Sequence, residues 1–88
     1  MLNNVVIKNV KWFSDHEGYR IAKGTVYYKG KRLGKWSMDE WGASDHYEFD
    51  ESILDGEVEA YRNRDDVNPM YKKFFNTDMF MYRVLKAQ

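Results

Sequence analysis

The chain contains no cysteine, and this absence removes several kinds of chemistry at once. Disulfide bonds, thiolate zinc sites and cysteine nucleophiles are all excluded. A chain without cysteine also suits a reducing compartment. The apolar stretch in residues 1–12 is too short for a signal peptide, and no segment approaches the roughly 20 apolar residues of a membrane-spanning helix. We therefore expect a soluble, cytoplasmic protein without membrane association.

Recognisable catalytic and cofactor motifs are also missing. The six glycines are scattered at turns and do not form a phosphate-binding loop. The two histidines, His16 and His46, lie outside any nucleophile motif. Asp15, His16 and Glu17 resemble metal ligands only superficially, because consecutive residues rarely converge on one ion, and we interpret them as a solvated turn. We expect a non-catalytic protein without a cofactor or a metal.

The formal net charge is zero, yet the charges are arranged in three blocks. Residues 1–38 carry a net charge of +6, residues 39–66 carry −9, and residues 67–88 carry +3. The middle block contains eleven acids and only two basic residues, an excess of one charge larger than ordinary mixing of acidic and basic residues gives. Such a pattern raises the question of an oppositely charged partner. The length of 88 residues is enough for one domain and not for two.

The fold is organised around the stretch from Tyr19 to Met38, which predicts a β-hairpin. Two loop lengths are open. A two-residue loop would need a positive φ at Lys29, which a residue with a Cβ disfavours. A three-residue loop needs a positive φ only at Gly30 and pairs Tyr27 with Lys31. We prefer the three-residue loop because it separates apolar from polar side chains better.

In the preferred register one face of the hairpin is apolar and the other is basic. The expected apolar face consists of Ala22, Gly24, Val26, Gly34, Trp36 and Met38, with Arg32 at its end. The expected basic face contains Lys23, Thr25, Tyr27, Lys31 and Lys35, interrupted by Ile21 and Leu33. Gly24 and Gly34 then lie opposite each other and leave a shallow floor on which a helix can sit.

Two further strands flank the hairpin. Residues 4–13 predict a first strand with apolar residues at both parities, as in a strand that is covered on both sides or contains a bulge. Residues 46–50 alternate and predict a half-exposed fourth strand.

The C-terminal third is more ambiguous. Residues 52–66 fit a helix slightly better than a hairpin turned at Asp55-Gly56. Asn68-Pro69 predicts a helix start. Residues 79–85 fit a last strand better than the continuation of that helix. The expected fold is a small α+β domain: an antiparallel meander of about four or five strands, with one or two short helices on one face.

The acidic block supplies the leading hypothesis for function. We expect the segment from Asp39 to Glu59 to dock onto a basic surface of a partner protein, with electrostatic complementarity setting the association rate. The residues expected at this contact are Asp39, Glu40, Trp41, Asp45, Tyr47 and Glu48. Trp41 is either a core plug or an exposed anchor, and we favour the plug because large apolar side chains usually become covered.

The small size, the charge blocks and the abundance of Lys, Asn, Tyr and Asp resemble accessory proteins of phages and plasmids, although no motif carries the resemblance. This resemblance implies an inhibitor of a nucleic-acid-handling host protein. Its carboxylates would stand in for phosphates, as in anti-CRISPR-like or nucleic-acid-mimic proteins.

A second hypothesis uses the basic sheet face to bind single-stranded nucleic acid. Basic side chains with interleaved aromatic rings contact phosphates and stack on bases. The residues expected in this role are Lys23, Tyr27, Lys31, Arg32 and Lys35. Lysines on the outer face of a hairpin also serve solubility, so the pattern alone does not decide the question. The methionine-rich C-terminal part is more typical of a core, and it is compatible with a homodimer.

Overall fold

Four antiparallel strands and a set of short helices make up the structure, a computed structural model that describes Leu2 and residues 4–88, apart from the side chain of Tyr71. The strands are β1 (Val5–Ser14), β2 (Arg20–Tyr28), β3 (Lys31–Ser37) and β4 (His46–Tyr47). They pair in sequence order, so the sheet is a meander. A 3-10 helix (Glu51–Leu54) leads into α1 (Asp55–Arg62), which is followed by α2 (Pro69–Lys72) and α3 (Thr77–Lys86). The predicted α+β fold class is confirmed.

The helices cover one face of the sheet and form the core with it. Buried side chains come from the first three strands and from one side of the helical segment: Val5, Ile7, Ala22, Val26, Trp36, Leu54, Val58, Phe75, Phe80, Met81, Val84 and Leu85. Burial of a side chain such as Phe80 stabilises the fold by about 1.5–3 kcal/mol. Within the described part of the chain, no helix combines the length and the apolar character needed to cross a membrane.

A bulge in β1 explains why its apolar residues occupy both parities. Between the partners of Lys8 and Lys11, β2 offers the single residue Gly24, whereas β1 has two residues. Asn9, inside the bulge, has a φ of 55°, a region that asparagine adopts more readily than most residues. Beyond the extra residue, each side chain of β1 points to the opposite face from the one that regular alternation would give. Lys8 and Lys11 therefore share a face although they are three residues apart.

The predicted three-residue hairpin loop is wrong. Lys29-Gly30 form a two-residue turn with φ values of 52° and 81°, and Tyr28 pairs with Lys31. A left-handed conformation at lysine costs about 1 kcal/mol. The twist of such a turn matches the twist of the two strands, which offsets that cost. Tyr27 consequently pairs with Arg32 and not with Lys31.

A second bulge, at Leu33, restores the separation of apolar from polar side chains. The register shifts by one residue there, so Val26 pairs with Gly34 and Gly24 pairs with Trp36. The predicted pairing of Gly24 with Gly34 is therefore wrong. The predicted apolar face is confirmed at the positions that are buried, which are Ala22, Val26, Gly34 and Trp36. A regular two-residue turn gives the favoured twist, and a regular three-residue loop separates apolar from polar side chains. The extra residue at Leu33 allows the hairpin to have both.

The segment after β4 crosses directly over Gly34. A Cβ at this position would lie 2.7 Å from the carbonyl oxygen of Glu48 and 3.3 Å from Cβ of Phe49, and φ is 153°. The fourth strand exists as predicted, but it has two residues rather than five. It ends early because the Asp50 carboxylate accepts a hydrogen bond from the Ser52 amide and starts the 3-10 helix.

The helical segment corrects one prediction and confirms another. The helix expected within residues 52–66 is confirmed as the 3-10 helix and α1. The strand expected over residues 79–85 is wrong, because α3 runs through it. The Asn76 side chain accepts a hydrogen bond from the Met79 amide at 2.9 Å and caps this helix. The buried residues of α3, Phe80, Met81, Val84 and Leu85, follow helical spacing.

The predicted helix start at Asn68-Pro69 is also confirmed. The Asn68 side chain accepts a hydrogen bond from the Met70 amide at 2.9 Å, and Pro69 is the first residue of α2. This helix ends at Lys72, so α2 and α3 are separate elements.

The side chain of Gln88 occupies part of the free edge of β1. Its Nε2 donates a hydrogen bond to the Ile7 carbonyl oxygen at 2.9 Å, and its Oε1 accepts one from the Ile7 amide. Backbone groups on the outer edge of a sheet otherwise stay open to water or to another strand. These two hydrogen bonds tie Gln88 to the first strand.

Candidate functional site

The sheet face opposite the helices gathers basic side chains from three strands. Cross-strand partners share a face, and the pairing puts Lys8 and Lys35 on either side of Thr25, and Lys11 beside Lys23. Arg32 pairs with Tyr27 on the same face. We call this surface the basic face, which comprises Lys8, Lys11, Lys23, Arg32 and Lys35. All five of its residues are exposed.

The side chains of the basic face form no ion pairs with carboxylates of the described residues. The ion pairs among the described residues join His16 to Glu17, His46 to Asp39, Arg62 to Glu59 and Arg64 to Asp66. None of them includes a residue of the basic face. Positive charges held close together on one surface without counter-charges attract an anion.

Two aromatic rings lie at opposite ends of the basic face. The Lys8 Nζ is 4.5 Å from the centroid of the Tyr27 ring, in a cation–π contact. At the other end, Phe13 pairs with Ile21, remains 38% exposed, and has the Lys23 Nζ 5.8 Å from its ring centroid. The face thus combines positive charge with π surfaces.

A shallow depression of about 490 Å³ opens in the middle of the basic face. Its wall includes three lysines of the basic face, the imidazole of His46 and the bulge residue Asn9. Glu48 also lines it, and among the described lining residues it supplies the single carboxylate. A depression with three ammonium groups and one carboxylate favours an anionic occupant.

The structure brings together most of the residues predicted for nucleic-acid binding. Lys23, Tyr27, Arg32 and Lys35 lie on one face, whereas Lys31 pairs with Tyr28, whose hydroxyl reaches Glu57 of α1 on the helical side. Because the turn has two residues, Arg32 occupies the position opposite Tyr27 that was expected for Lys31. Sequence reasoning missed Lys8, Lys11 and Phe13, because their facing depends on a bulge that residue type alone does not locate.

Three of the residues predicted for the acidic contact take part in internal hydrogen bonds. The Asp39 carboxylate accepts hydrogen bonds from the amides of Trp41 and Ala43 and from the His46 imidazole. The hydrogen bonds from Ala43, His46 and Trp41 lower the pKa of Asp39. Asp39 therefore fixes the loop between β3 and β4.

Asp45 and Tyr47 belong to a second internal network, which sequence reasoning did not foresee. The Asp45 carboxylate accepts a hydrogen bond from the Trp36 indole at 2.8 Å, and the Tyr47 hydroxyl donates to Asp78 of α3 at 2.8 Å. Burial, together with the nearby Asp78 carboxylate, raises the pKa of Asp45 to about 6. Burial and the hydrogen bond to Asp78 also raise the pKa of Tyr47. These groups join the sheet to α3.

Glu40, Trp41 and Glu48 remain accessible. Trp41 is 72% exposed, so the prediction that it plugs the core is wrong. Its ring stacks on His16 with centroids 3.9 Å apart, and the His16 imidazole donates a hydrogen bond to the Glu40 carbonyl oxygen. Contacts with a neighbouring loop hold Trp41 at the surface, away from the core. Glu48 lies beside the lysines of the depression, apart from Glu40 and Trp41.

A metal site is not formed by the described residues. Among the residues that the structure describes, no group of three or more histidine, aspartate or glutamate side chains is positioned to hold one ion. In the turn after β1, the Asp15 carboxylate accepts hydrogen bonds from the amides of Glu17 and Tyr19. Asp15 therefore organises this turn.

Comparisons with known proteins give no relative. No family model, curated protein or solved structure matches the chain. The arguments for function therefore rest on the geometry of the basic face and of the loop that carries Trp41.

Proposed function

We propose that the protein is a small, non-catalytic binding module that holds single-stranded nucleic acid on its basic face. One observation carries this proposal: the five basic side chains of this face are exposed, belong to adjacent strands and have no ion-pair partner among the described residues.

The aromatic rings favour a single strand over a duplex. The bases of a single strand are free to stack on side chains such as Tyr27 and Phe13, whereas duplex bases are already stacked on one another. The zero net charge provides no attraction at long range. Binding would depend on the local field of the basic face, which acts within a Debye length of about 8 Å at physiological salt.

Fluorescence anisotropy with labelled single-stranded oligonucleotides tests the proposal. Each neutralised phosphate contributes about −0.7 to the slope of log affinity against log salt, so four contacts predict a slope of about −3. Lys23→Gln and Lys35→Gln should each weaken binding and make the slope shallower by about 0.7. Lys31→Gln is the matched control, since it removes the same charge from the opposite side of the hairpin.

Two outcomes would overturn the proposal. One is an absence of binding to any single-stranded oligonucleotide at low salt. The other is an equal loss of affinity in the Lys31→Gln control, which would attribute the effect to overall charge and not to the basic face.

We also propose a second candidate, in which the loop of residues 39–45 docks onto a basic surface of a partner protein. It is favoured by the exposed ring of Trp41, which is held by His16 beside the exposed Glu40. An aromatic side chain held in one orientation is a common interface anchor. In this candidate the protein is a cytoplasmic inhibitor from a phage- or plasmid-type element, and its partner handles nucleic acid in the host.

The test of the second candidate should spare Asp39 and Asp45, because both hold the loop together. The double variant Glu40→Lys, Trp41→Ala changes only exposed side chains. It should lose a basic partner that the wild-type protein captures from a bacterial lysate. Phe74→Ala is the control, since Phe74 is 73% exposed but lies outside the loop. Unchanged capture by the double variant would reject this candidate.

A further inference from the structure

The outer face of the sheet has a regular order along β2. Four cross-strand rows succeed one another: Tyr27 with Arg32, Thr25 with Lys8 and Lys35, Lys23 with Lys11 and Ser37, and Ile21 with Phe13. Successive rows are two residues apart along β2, which corresponds to about 6.6 Å. This repeat is close to that of an extended nucleic-acid strand, which has one phosphate per nucleotide.

The outermost rows carry aromatic rings, and the two inner rows carry lysines. Tyr27 and Phe13 mark the ends, about 20 Å apart along the sheet. Lys8 and Lys35 form one inner row, and Lys11 and Lys23 contribute to the next. The depression of about 490 Å³ is lined by Lys11, Lys23 and Lys35 of these inner rows and extends to His46 and Glu48 at the β4 side. Along β2, two rows with lysines thus lie between two rows with aromatic rings.

A path across the strands is less favourable than a path along them. At the β4 side the depression is bounded by the carboxylate of Glu48, and the imidazole of His46 is already engaged by Asp39. A phosphate chain that crossed the sheet would meet these two carboxylates. A chain that follows β2 would pass the four lysines of the inner rows.

We infer that the basic face binds a segment of about four nucleotides that runs along β2. The bases at the two ends stack on Tyr27 and Phe13, and the phosphates between them contact Lys8, Lys35, Lys11 and Lys23. This inference rests on the proposed nucleic-acid-binding function and adds to it a direction and a site size. The site size lies at the lower end of the roughly 4–16 nucleotides that single-strand-binding domains cover.

A length series with the unmodified protein tests the site size. Labelled thymidine oligonucleotides of two to twelve nucleotides are titrated at low salt and followed by anisotropy. Affinity should rise steeply up to about four nucleotides and then only in proportion to the number of overlapping sites on the longer strand. A steep rise that continues beyond about eight nucleotides would overturn the inference and leave the proposed function intact. If no length binds, both fail.

A pair of neighbouring residues tests the stacking. Phe13→Leu should weaken binding of a four-nucleotide strand about tenfold. Trp12→Leu should leave the affinity unchanged, because Trp12 pairs with Ala22 and lies on the face of the sheet opposite the basic face. The exposed fraction of its side chain, 41%, is similar to that of Phe13, 38%. Equal effects of the two variants would overturn the stacking geometry. Circular dichroism verifies that both variants are folded, and the length series supplies an independent answer if either is not.

Discussion

Asp45 stabilises the folded protein more at low pH than at high pH, which is the opposite of most aspartates in folded proteins. Its folded pKa of about 6 lies above the ordinary value of 3.8, so the folded chain binds the proton more tightly than the unfolded chain. The stabilisation from this group is therefore fully present below about pH 4 and is lost as the pH rises through about 6. Asp39 and Asp50 have lowered pKa values, so the stability that they contribute changes in the opposite sense and is lost as the pH falls.

Asp45→Asn should remove this dependence, because the amide resembles the protonated carboxyl and can still accept the Trp36 hydrogen bond. We expect the variant to be more stable than wild type by about 1 kcal/mol at pH 7.5, since the half-exposed carboxyl is partly screened by solvent. The difference should vanish near pH 4. Urea denaturation at both pH values measures it, with Glu40→Gln as an exposed control. A constant difference at both values would contradict the assignment.

Two glycines should respond in opposite directions to the same substitution. Gly34→Ala brings a methyl group within 2.7 Å of the Glu48 carbonyl oxygen, so we expect a loss of about 2 kcal/mol. Gly56 lies in α1 with open space around it, and Gly56→Ala should stabilise the protein by about 0.5–1 kcal/mol. Thermal unfolding followed by circular dichroism compares the two. A neutral Gly34→Ala would mean that the crossing segment is not packed onto β3.

At the level of elements, α3 depends on its cap more than α2 does. Asn76→Ala removes the acceptor for the Met79 amide at the start of the helix that carries Phe80 into the core, and should cost about 1 kcal/mol. Asn68→Ala removes the same kind of cap from a four-residue helix, and we expect a smaller loss. Denaturant unfolding of both variants is the measurement. Equal losses would show that the cap of α3 has no special importance.

The same element shows where sequence reasoning fails. In residues 79–85 both parities are mostly apolar, and so are the helical positions, so periodicity does not separate strand from helix. The cap at Asn76 is the feature that decides in favour of the helix. By contrast, Asn68-Pro69 predicts the start of α2 correctly, because proline is common at the first helical position and is disfavoured inside a helix.

The strands were predictable as elements but not in register. Sorting of apolar from polar residues identified the buried face of the hairpin correctly. The hairpin has the two-residue turn but departs from the regular register of that turn at Leu33, and β1 contains a second extra residue. Bulges are set by packing across the sheet, and one shifted residue changes the facing of every later side chain. The basic face was therefore predicted for β2 and β3, while the share from β1 was not.

At the level of the whole molecule, the charge blocks of the sequence become surfaces of different character. The basic block supplies the exposed sheet face, whereas many acids of residues 39–66 cap turns, hold the loop or pair locally. Several acids of that segment therefore already have partners within the chain. This distribution is why the proposed function rests on the basic face, with the Trp41 loop as the second candidate.

Glu48 is the exception in this distribution, because it is an acid on the rim of the basic depression. Glu48→Gln should raise the affinity for single-stranded DNA about threefold at low salt by removing a repulsive charge. Asp55→Asn removes an equal charge from α1, on the covered side of the sheet, and should have little effect. Anisotropy titrations of both variants decide between a local and a global effect. Equal gains would point to net charge alone.

The Gln88 side chain has a consequence for how copies of the protein meet. A strand at the margin of a sheet can recruit a matching strand from another molecule, and this is a common start of fibrils. Here a glutamine amide imitates such an incoming peptide group at Ile7 and satisfies both of its backbone atoms. A strand of a second molecule could pair with β1 at Ile7 only after displacing the Gln88 side chain. These two hydrogen bonds therefore disfavour edge-to-edge association of two sheets at this position.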